Sequence, residues 1–245
     1  VAAIIPWNSP MYLTAVKLAP ALAAGNTVVL KPSEHASATI IELMHLVKKA
    51  GFPDGVVNVV RGFGADTGSA LAKYPLVRRI AFTGGSQGAK AVVKNSAENL
   101  AQLSLELGGK SPNIVFEDAD IGSAVNGVIV GIFAASGQSC VAGSRLLVQE
   151  SVYDEFLAAL KARAATIVIG DPMAPSSEMG PMATQLQLAL VERMVAAAQA
   201  QGATLIHGGK RAAVAGDGWY YESTILAVDN NQCSIMQEEV FGPVA

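Results

Sequence analysis

Val1-Ala2-Ala3-Ile4-Ile5-Pro6 and Gly25-Asn26-Thr27-Val28-Val29-Leu30 bracket a stretch, Met11 to Ala24, that reads as a helix. The flanking runs are apolar at successive rather than alternate positions, as in strands buried on both faces of a sheet. Pro6 ends the first run, and Gly25 lies just past the helix, where a stop signal belongs. Strand, crossover helix and strand make one βαβ unit. The rhythm continues outward from it. Ala36 to Ala50 carries helical periodicity at Ile40, Ile41, Leu43, Met44 and Val47, and Gly51 stops it. Val56 to Val60 reads as a strand, Asp66 to Lys73 as a short helix, Arg79 to Phe82 as a strand and Gln87 to Glu98 as a helix. This alternation predicts an α/β fold with a doubly wound parallel sheet, which places ligands at the carboxyl ends of its strands.

A second α/β unit follows. Ser111 to Phe116 and Leu146 to Val148 are strand-like, and Ile121 to Ala135, Val152 to Ile167 and Gln185 to Gln201 are helical. Asp171 to Pro181 is a loop rich in proline and serine. The segment Glu106 to Lys110 reads as the join, which gives domains 1–107 and 108–245. With 245 residues, 51% of them hydrophobic and 15% charged, the chain can bury a substantial core and is not of disordered composition. A net charge of −3 with no basic cluster argues against nucleic acid or anionic membranes as partners. The longest apolar runs, such as Val128 to Ala135, are too short to span a bilayer. Two cysteines make no disulfide framework and read as reduced thiols in a cytoplasmic protein. Both ends break off in structured-looking sequence, so a piece of a longer chain is expected.

Seven short motifs could carry chemistry. Cys140, in Gly137-Gln138-Ser139-Cys140-Val141-Ala142-Gly143, is framed by small residues that leave room for a substrate at sulfur. Backbone N–H groups at the start of the next element could activate it; a buried packing cysteine is the alternative. Glu106, inside the apolar run Leu103 to Leu107, is costly to bury, so it must be paired, solvated by a cleft, or carry the raised pKa that suits a general base; pairing with Lys110 in a surface turn is the alternative. Asn8, between Pro6 and Pro10, either donates to an oxyanion or serves turn geometry alone. Lys31-Pro32-Ser33-Glu34 ends the second strand, where an acid can accept from a ribose hydroxyl, or where Ser33 simply caps a helix. Thr83-Gly84-Gly85-Ser86 and Gly62 to Gly68 are glycine loops before helices, each weak evidence of phosphate binding alone. Gln237-Glu238-Glu239-Val240-Phe241-Gly242-Pro243 pairs acids with an aromatic, or is an exposed acidic turn. None of these motifs calls for a metal.

Taken in order, Pro-Trp-Asn-x-Pro, Lys-Pro-Ser-Glu, Phe-Thr-Gly-Gly, Leu-Glu-Leu-Gly-Gly-Lys, Gly-Gln-x-Cys and Glu-Glu-x-Phe-Gly-Pro resemble the NAD(P)-dependent aldehyde dehydrogenase superfamily over essentially the whole chain. The family's chains are roughly twice as long. The resemblance implies a Rossmann-like cofactor domain followed by an α/β catalytic domain, and oxidation of a small-molecule aldehyde to a carboxylic acid. It makes Cys140 the nucleophile, Glu106 the base that activates water, and Asn8 with the Cys140 N–H the oxyanion hole. It implies cofactor contacts at Ile5, Pro6, Trp7, Lys31, Ser33, Glu34, Gly64, Gly68, Phe82, Gly84, Gly85, Leu107, Glu239 and Phe241. Glu34 favours NAD while admitting NADP. Phe133, Ser139 and Val141 are expected near the thiol, and a homo-oligomer is expected of the full-length chain.

One departure stands out. The family usually has Ser or Thr after Thr-Gly, and here Gly85 removes a hydroxyl that could contact pyrophosphate; a weaker or more mobile cofactor is expected. Two rival readings remain: a relative in which coenzyme A resolves the thioester, against which Glu106 argues, and a non-catalytic member that keeps the fold. A short-chain reductase would need a Tyr-x-x-x-Lys pair, and Tyr12, Tyr74 and Tyr153 have Val16, Arg78 and Leu157 at that spacing.

Overall fold

The first apolar run becomes β1 (Ala2–Ile4), buried throughout and paired in parallel on both sides, with β2 (Val28–Lys31) and β4 (Arg79–Thr83). With β3 (Val57–Val59) and β5 (Gln102–Glu106) it forms a five-stranded parallel sheet in the order β3-β2-β1-β4-β5. In this computed structural model, which describes residues 1–214 and 216–245, the sheet lies in the first of two compact units, Val1–Gly108 and Gly109–Ala245. Successive side chains of β1 serve opposite layers. Ala2 and Ile4 pack with Ile80, Phe82 and residues of α3 (Ser69–Lys73) and α4 (Ser86–Asn95), including Ala72, Ala89 and Val92. Ala3 and Ile5 pack with Leu18 of α1 (Pro10–Ala23), Ile40 of α2 (Ala38–Lys49), Val28 and Leu30. That is the doubly wound α/β arrangement the sequence predicts. Strand order reverses between β1 and β4, so the crevice at their carboxyl ends is the natural ligand position.

Element ends in this unit shift by one to three residues from their patterns, because strand and helix ends fray into caps and turns. The helix expected from Asp66 opens as a wide π-type turn over Gly64–Gly68 and becomes α-helical only at Ser69.

In the second unit, β6 (Pro112–Val115) pairs in parallel with β7 (Arg145–Val148). The apolar helix α5 (Ile121–Phe133) starts at Asp120, whose carboxylate accepts from the Ser123 N–H at 2.8 Å. Its Val125, Val128, Ile129, Ile132 and Phe133 pack with Phe156 and Leu160 of α6 (Tyr153–Ala164). A second cluster gathers around Leu188, Val191 and Val195 of α7 (Gln185–Ala200), a helix capped by Thr184. A short antiparallel pair, β8 (Thr204–His207) with β9 (Ile225–Ala227), and the single turn α8 (Ser234–Gln237) complete the unit. The helix expected to reach Ala135 stops at Phe133, because Ala135, Ser136 and Gly137 all turn left-handed, at φ 50°, 56° and 69°. No helix among the described residues is long and apolar enough to cross a membrane.

Candidate active site

In the first unit the motifs leave the sheet at one edge. Ile5-Pro6-Trp7-Asn8 follows β1 directly; Ser9 is left-handed at φ 46° and Pro10 opens α1. Asn8 is thereby fixed between a strand end and a helix start. Its half-buried amide makes no hydrogen bond among the described residues, so its N–H groups are available to an oxygen.

Lys31 closes β2 and is almost wholly buried. Its Nζ donates to the Pro32 carbonyl at 3.0 Å and lies 3.5 Å from a Glu34 carboxylate oxygen. Ser33 is not the helix cap weighed from sequence: α2 begins only at Ala38, and the buried Ser33 Oγ accepts from the His35 N–H at 3.3 Å. Gly68 lies against the Lys31 stem, where an added Cβ would sit 3.8 Å from Cδ. Gly64 opens the wide turn that leads there.

At β4 the Phe82 ring tucks beneath the glycine loop. A Cβ on Gly84 or Gly88 would stand 2.7 or 2.9 Å from its Cζ, so a side chain at either position would have to push the ring tip aside. Gly85 occupies the N-cap of α4 with extended backbone (φ −71°, ψ 157°), no side-chain cap and open space around its Cα. Helix N–H groups at this start are unsatisfied by any side chain.

Glu106 is solvated, one of the alternatives open from sequence: it is exposed because β5 is the edge strand of the sheet and Glu106 is its last residue. Leu107, the next residue, is exposed too. The residue missed by sequence reading is Lys17, the sole charge on the otherwise apolar α1. Its Nζ donates to Thr83 Oγ1 at 2.6 Å. Burial holds its pKa below the ordinary lysine value, with the Glu106 charge pulling the other way. A lone cation in an apolar helix was the available signal.

In the second unit Cys140 is half-buried in a turn closed by the Ala142 N–H on the Ser139 carbonyl at 3.1 Å. It does not stand at the start of the next element, which begins only at Arg145, so no helix N-terminus activates it. Its backbone N–H has no partner among the described residues. Val141 beside it is exposed, Ser139 is half-buried, and Phe133 is committed to the core.

Gly109 connects this turn to the C-terminal motif. An added Cβ there would lie 3.9 Å from the Cys140 carbonyl oxygen, and its N–H donates to Glu239 Oε1 at 3.3 Å. Burial raises the Glu239 pKa above the usual carboxylate value, against the Gly109 N–H and the Lys110 charge. Burial also lowers Lys110, to about 8, with Arg145 adding to the effect and Glu239 opposing it. Desolvation therefore outweighs the attraction between the two groups. Phe241 is left-handed at φ 53°, and Gln187 Nε2 holds the Val240 and Phe241 carbonyls at 2.9 and 3.0 Å.

The whole chain, residues 1–245, matches the model of the aldehyde dehydrogenase family. The chain belongs to the aldehyde dehydrogenase family. It is 54% identical over its full length to the (Z)-2-((N-methylformamido)methylene)-5-hydroxybutyrolactone dehydrogenase of Acinetobacter baylyi, covering 50% of that protein. It is 45% identical over 243 residues, 98% of this chain, to the betaine aldehyde dehydrogenase of Bacillus subtilis, again covering 50% of it. Among solved structures, betaine aldehyde dehydrogenase from Staphylococcus aureus in complex with NAD+ superposes with a TM-score of 0.96 at 40% identity, over 99% of this chain and 48% of that one. The chain thus spans about half the length of the curated family members it matches.

Proposed function

We propose that the protein oxidises an aldehyde to a carboxylic acid, with NAD as acceptor and Cys140 as a covalent nucleophile. The observation that carries this reading is the Cys140 turn: a half-buried thiol whose backbone N–H has no partner among the described residues, joined through Gly109 to the Glu239 carboxylate, in an aldehyde dehydrogenase chain. On this reading residues 1–107 form the dinucleotide domain and 108–245 the thiol domain.

The residues fit the cofactor. The uncapped start of α4, with open space at Gly85, suits a diphosphate. Lys31 and Glu34 at the end of β2, with Ser33, Gly64 and Gly68, suit the adenosine ribose. Ile5, Pro6, Trp7, Phe82, Gly84 and Leu107 would line the remainder, and Glu239 with Phe241 the nicotinamide ribose and ring. A carboxylate at Glu34 disfavours a 2′-phosphate, hence NAD over NADP.

Cys140 attacks the carbonyl carbon as thiolate, and the new C–S bond leaves an oxyanion. On this reading the Cys140 N–H and the Asn8 amide, both without partners among the described residues, would donate to that oxygen. A bound nicotinamide would supply the acceptor for the hydride of the carbon attached to the Cys140 sulfur. Glu106 then takes a proton from water, whose oxygen attacks the Cys140 thioester; the acid leaves and the thiolate returns. The exposure of Glu106 suits a base that must meet water.

NADH formation by the complete protein, across aliphatic, aromatic and amino-aldehydes, tests the reading. Cys140→Ser should lower turnover by at least about 10³-fold, since an alkoxide forms far less readily than a thiolate. Substantial turnover in that variant would sink the covalent mechanism.

A further inference from the structure

We propose that Gln138 is a positioning residue for the Cys140 thiol, hanging the left-handed turn 135–137 from the backbone at Ala183. The proposal rests on the reading of Cys140 as the nucleophile. Three consecutive left-handed residues are a conformation that L-residues adopt singly, not in runs. Two of the three, Ala135 and Ser136, carry a Cβ, so local preference opposes the turn and something distant must hold it.

The tethers are identifiable. Gln138 is buried, and both ends of its amide are used: Oε1 accepts from the Ala183 N–H at 2.9 Å, and Nε2 donates to the Ala135 carbonyl at 3.3 Å. One side chain thus bonds the strained turn itself and an anchor 45 residues away. Ser136 Oγ donates to the Gly180 carbonyl at 2.8 Å. Gly137 is pressed against the Gly242 carbonyl so closely that a Cβ would overlap it.

The anchor is rigid. Met182 is buried in the α7 cluster, and its N–H donates to the Trp219 carbonyl at 2.9 Å. The same segment leads through Thr184 into α7, where Gln187 holds the carbonyls of Val240 and Phe241. The thiol turn and the Glu239–Phe241 loop are therefore suspended from one stretch of chain.

Gln138→Met keeps the length of the side chain and removes both bonds. In the complete protein we expect kcat to fall on the order of 10- to 100-fold, with KM for the aldehyde and Kd for NAD within about twofold, as for a misplaced reacting atom. Glycine adopts φ > 0 without steric cost, so adding Ala135→Gly should recover about threefold or more of the lost kcat. Gln138→Glu, which keeps the acceptor for Ala183, should retain more activity than Gln138→Met. If Gln138→Met does not fold, Ser136→Ala carries the test, with an expected drop of about threefold from loss of one tether. An unchanged kcat in the variant that folds, or no rescue by Ala135→Gly, overturns the proposal. Should the wild type show no Cys140-dependent turnover, the proposed function fails, and Gln138 is judged on hydrogen exchange at the Cys140–Gly143 amides. Faster exchange in Gln138→Met then supports the tether, and unchanged exchange overturns it.

Discussion

Asn8 and Cys140 both sit on chain leaving an apolar element, and they are delivered by opposite means. Asn8 departs from the end of a buried parallel strand, with one left-handed residue, Ser9, and a proline-started helix beyond it. Cys140 departs from the end of α5 through three left-handed residues in succession, held by Gln138, Ser136 and the Gly137–Gly242 contact. The strand end of a doubly wound sheet already points its loops at the ligand crevice. A helix end does not, so the second unit carries local strain of roughly 1–2 kcal/mol for each non-glycine residue and offsets it with tertiary bonds. Sites built on the sheet edge should therefore tolerate local change, and the thiol turn should not.

Two glycine substitutions test that contrast most severely. Gly137→Ala adds a Cβ at positive φ against a backbone carbonyl that cannot move aside, and should cost about 3 kcal/mol or more. Gly84→Ala meets only the tip of the Phe82 ring, which can tilt, so about 1 kcal/mol is expected. Urea unfolding of each variant gives the comparison; equal losses would break it.

Glu106→Gln separates chemistry from fold at the tolerant edge. An exposed strand-end residue should change stability by less than about 0.5 kcal/mol, while steady-state turnover falls about 10²- to 10³-fold through loss of the base. A stopped-flow burst of NADH should persist, because in the proposed mechanism hydride leaves before water attacks. A normal steady state without a burst would remove Glu106 from that role.

The difference between the units also explains what the sequence made legible. The β1–α1–β2 pattern is local: apolar runs, a glycine stop and prolines decide it within thirty residues, and the sheet forms as predicted. Asn8, Lys31 and Gly84 were readable because the rule for parallel sheets says which strand ends matter. Which of the alternatives at Glu106 holds was not readable, since nothing in Leu103 to Leu107 marks β5 as an edge strand. The turn at Ala135–Gly137 was invisible for a stronger reason. Its causes lie at Gly180, Ala183 and Gly242, all more than forty residues away, and helix periodicity runs straight into it. Gln138 and Gln187 give no signal in sequence, because a neutral amide carries no charge anomaly to betray its partners.

Lys110 offers a smaller effect within the second unit. Burial and Arg145 hold its folded pKa near 8, below the ordinary 10.5. Between those values the unfolded chain binds more protons than the folded one, so this group makes stability rise with pH across about 8 to 10. The cost of burying its charge is fully present below pH 8. Lys110→Met should therefore raise Tm most at pH 7, and the gain should shrink by pH 10. A gain that does not change with pH would assign the effect to packing instead.

Gly85→Ser is the mildest change and sharpens the reading of the cofactor edge. The backbone at Gly85 already has N-cap geometry, and a Cβ there would meet nothing within 4 Å, so the substitution carries no steric cost. A serine at this position accepts from an N–H in the first turn of α4, worth a few tenths of a kcal/mol over glycine and a small rise in Tm. Its hydroxyl still has a proton to donate while it accepts. A diphosphate at the start of α4 would take that proton, and one added hydrogen bond of about 1 kcal/mol tightens NAD binding roughly fivefold. The two effects are separable. A higher Tm with tighter NAD binding by fluorescence titration places the phosphates at α4, whereas a higher Tm with unchanged binding means the helix start is only capped and the phosphates rest elsewhere on the sheet edge.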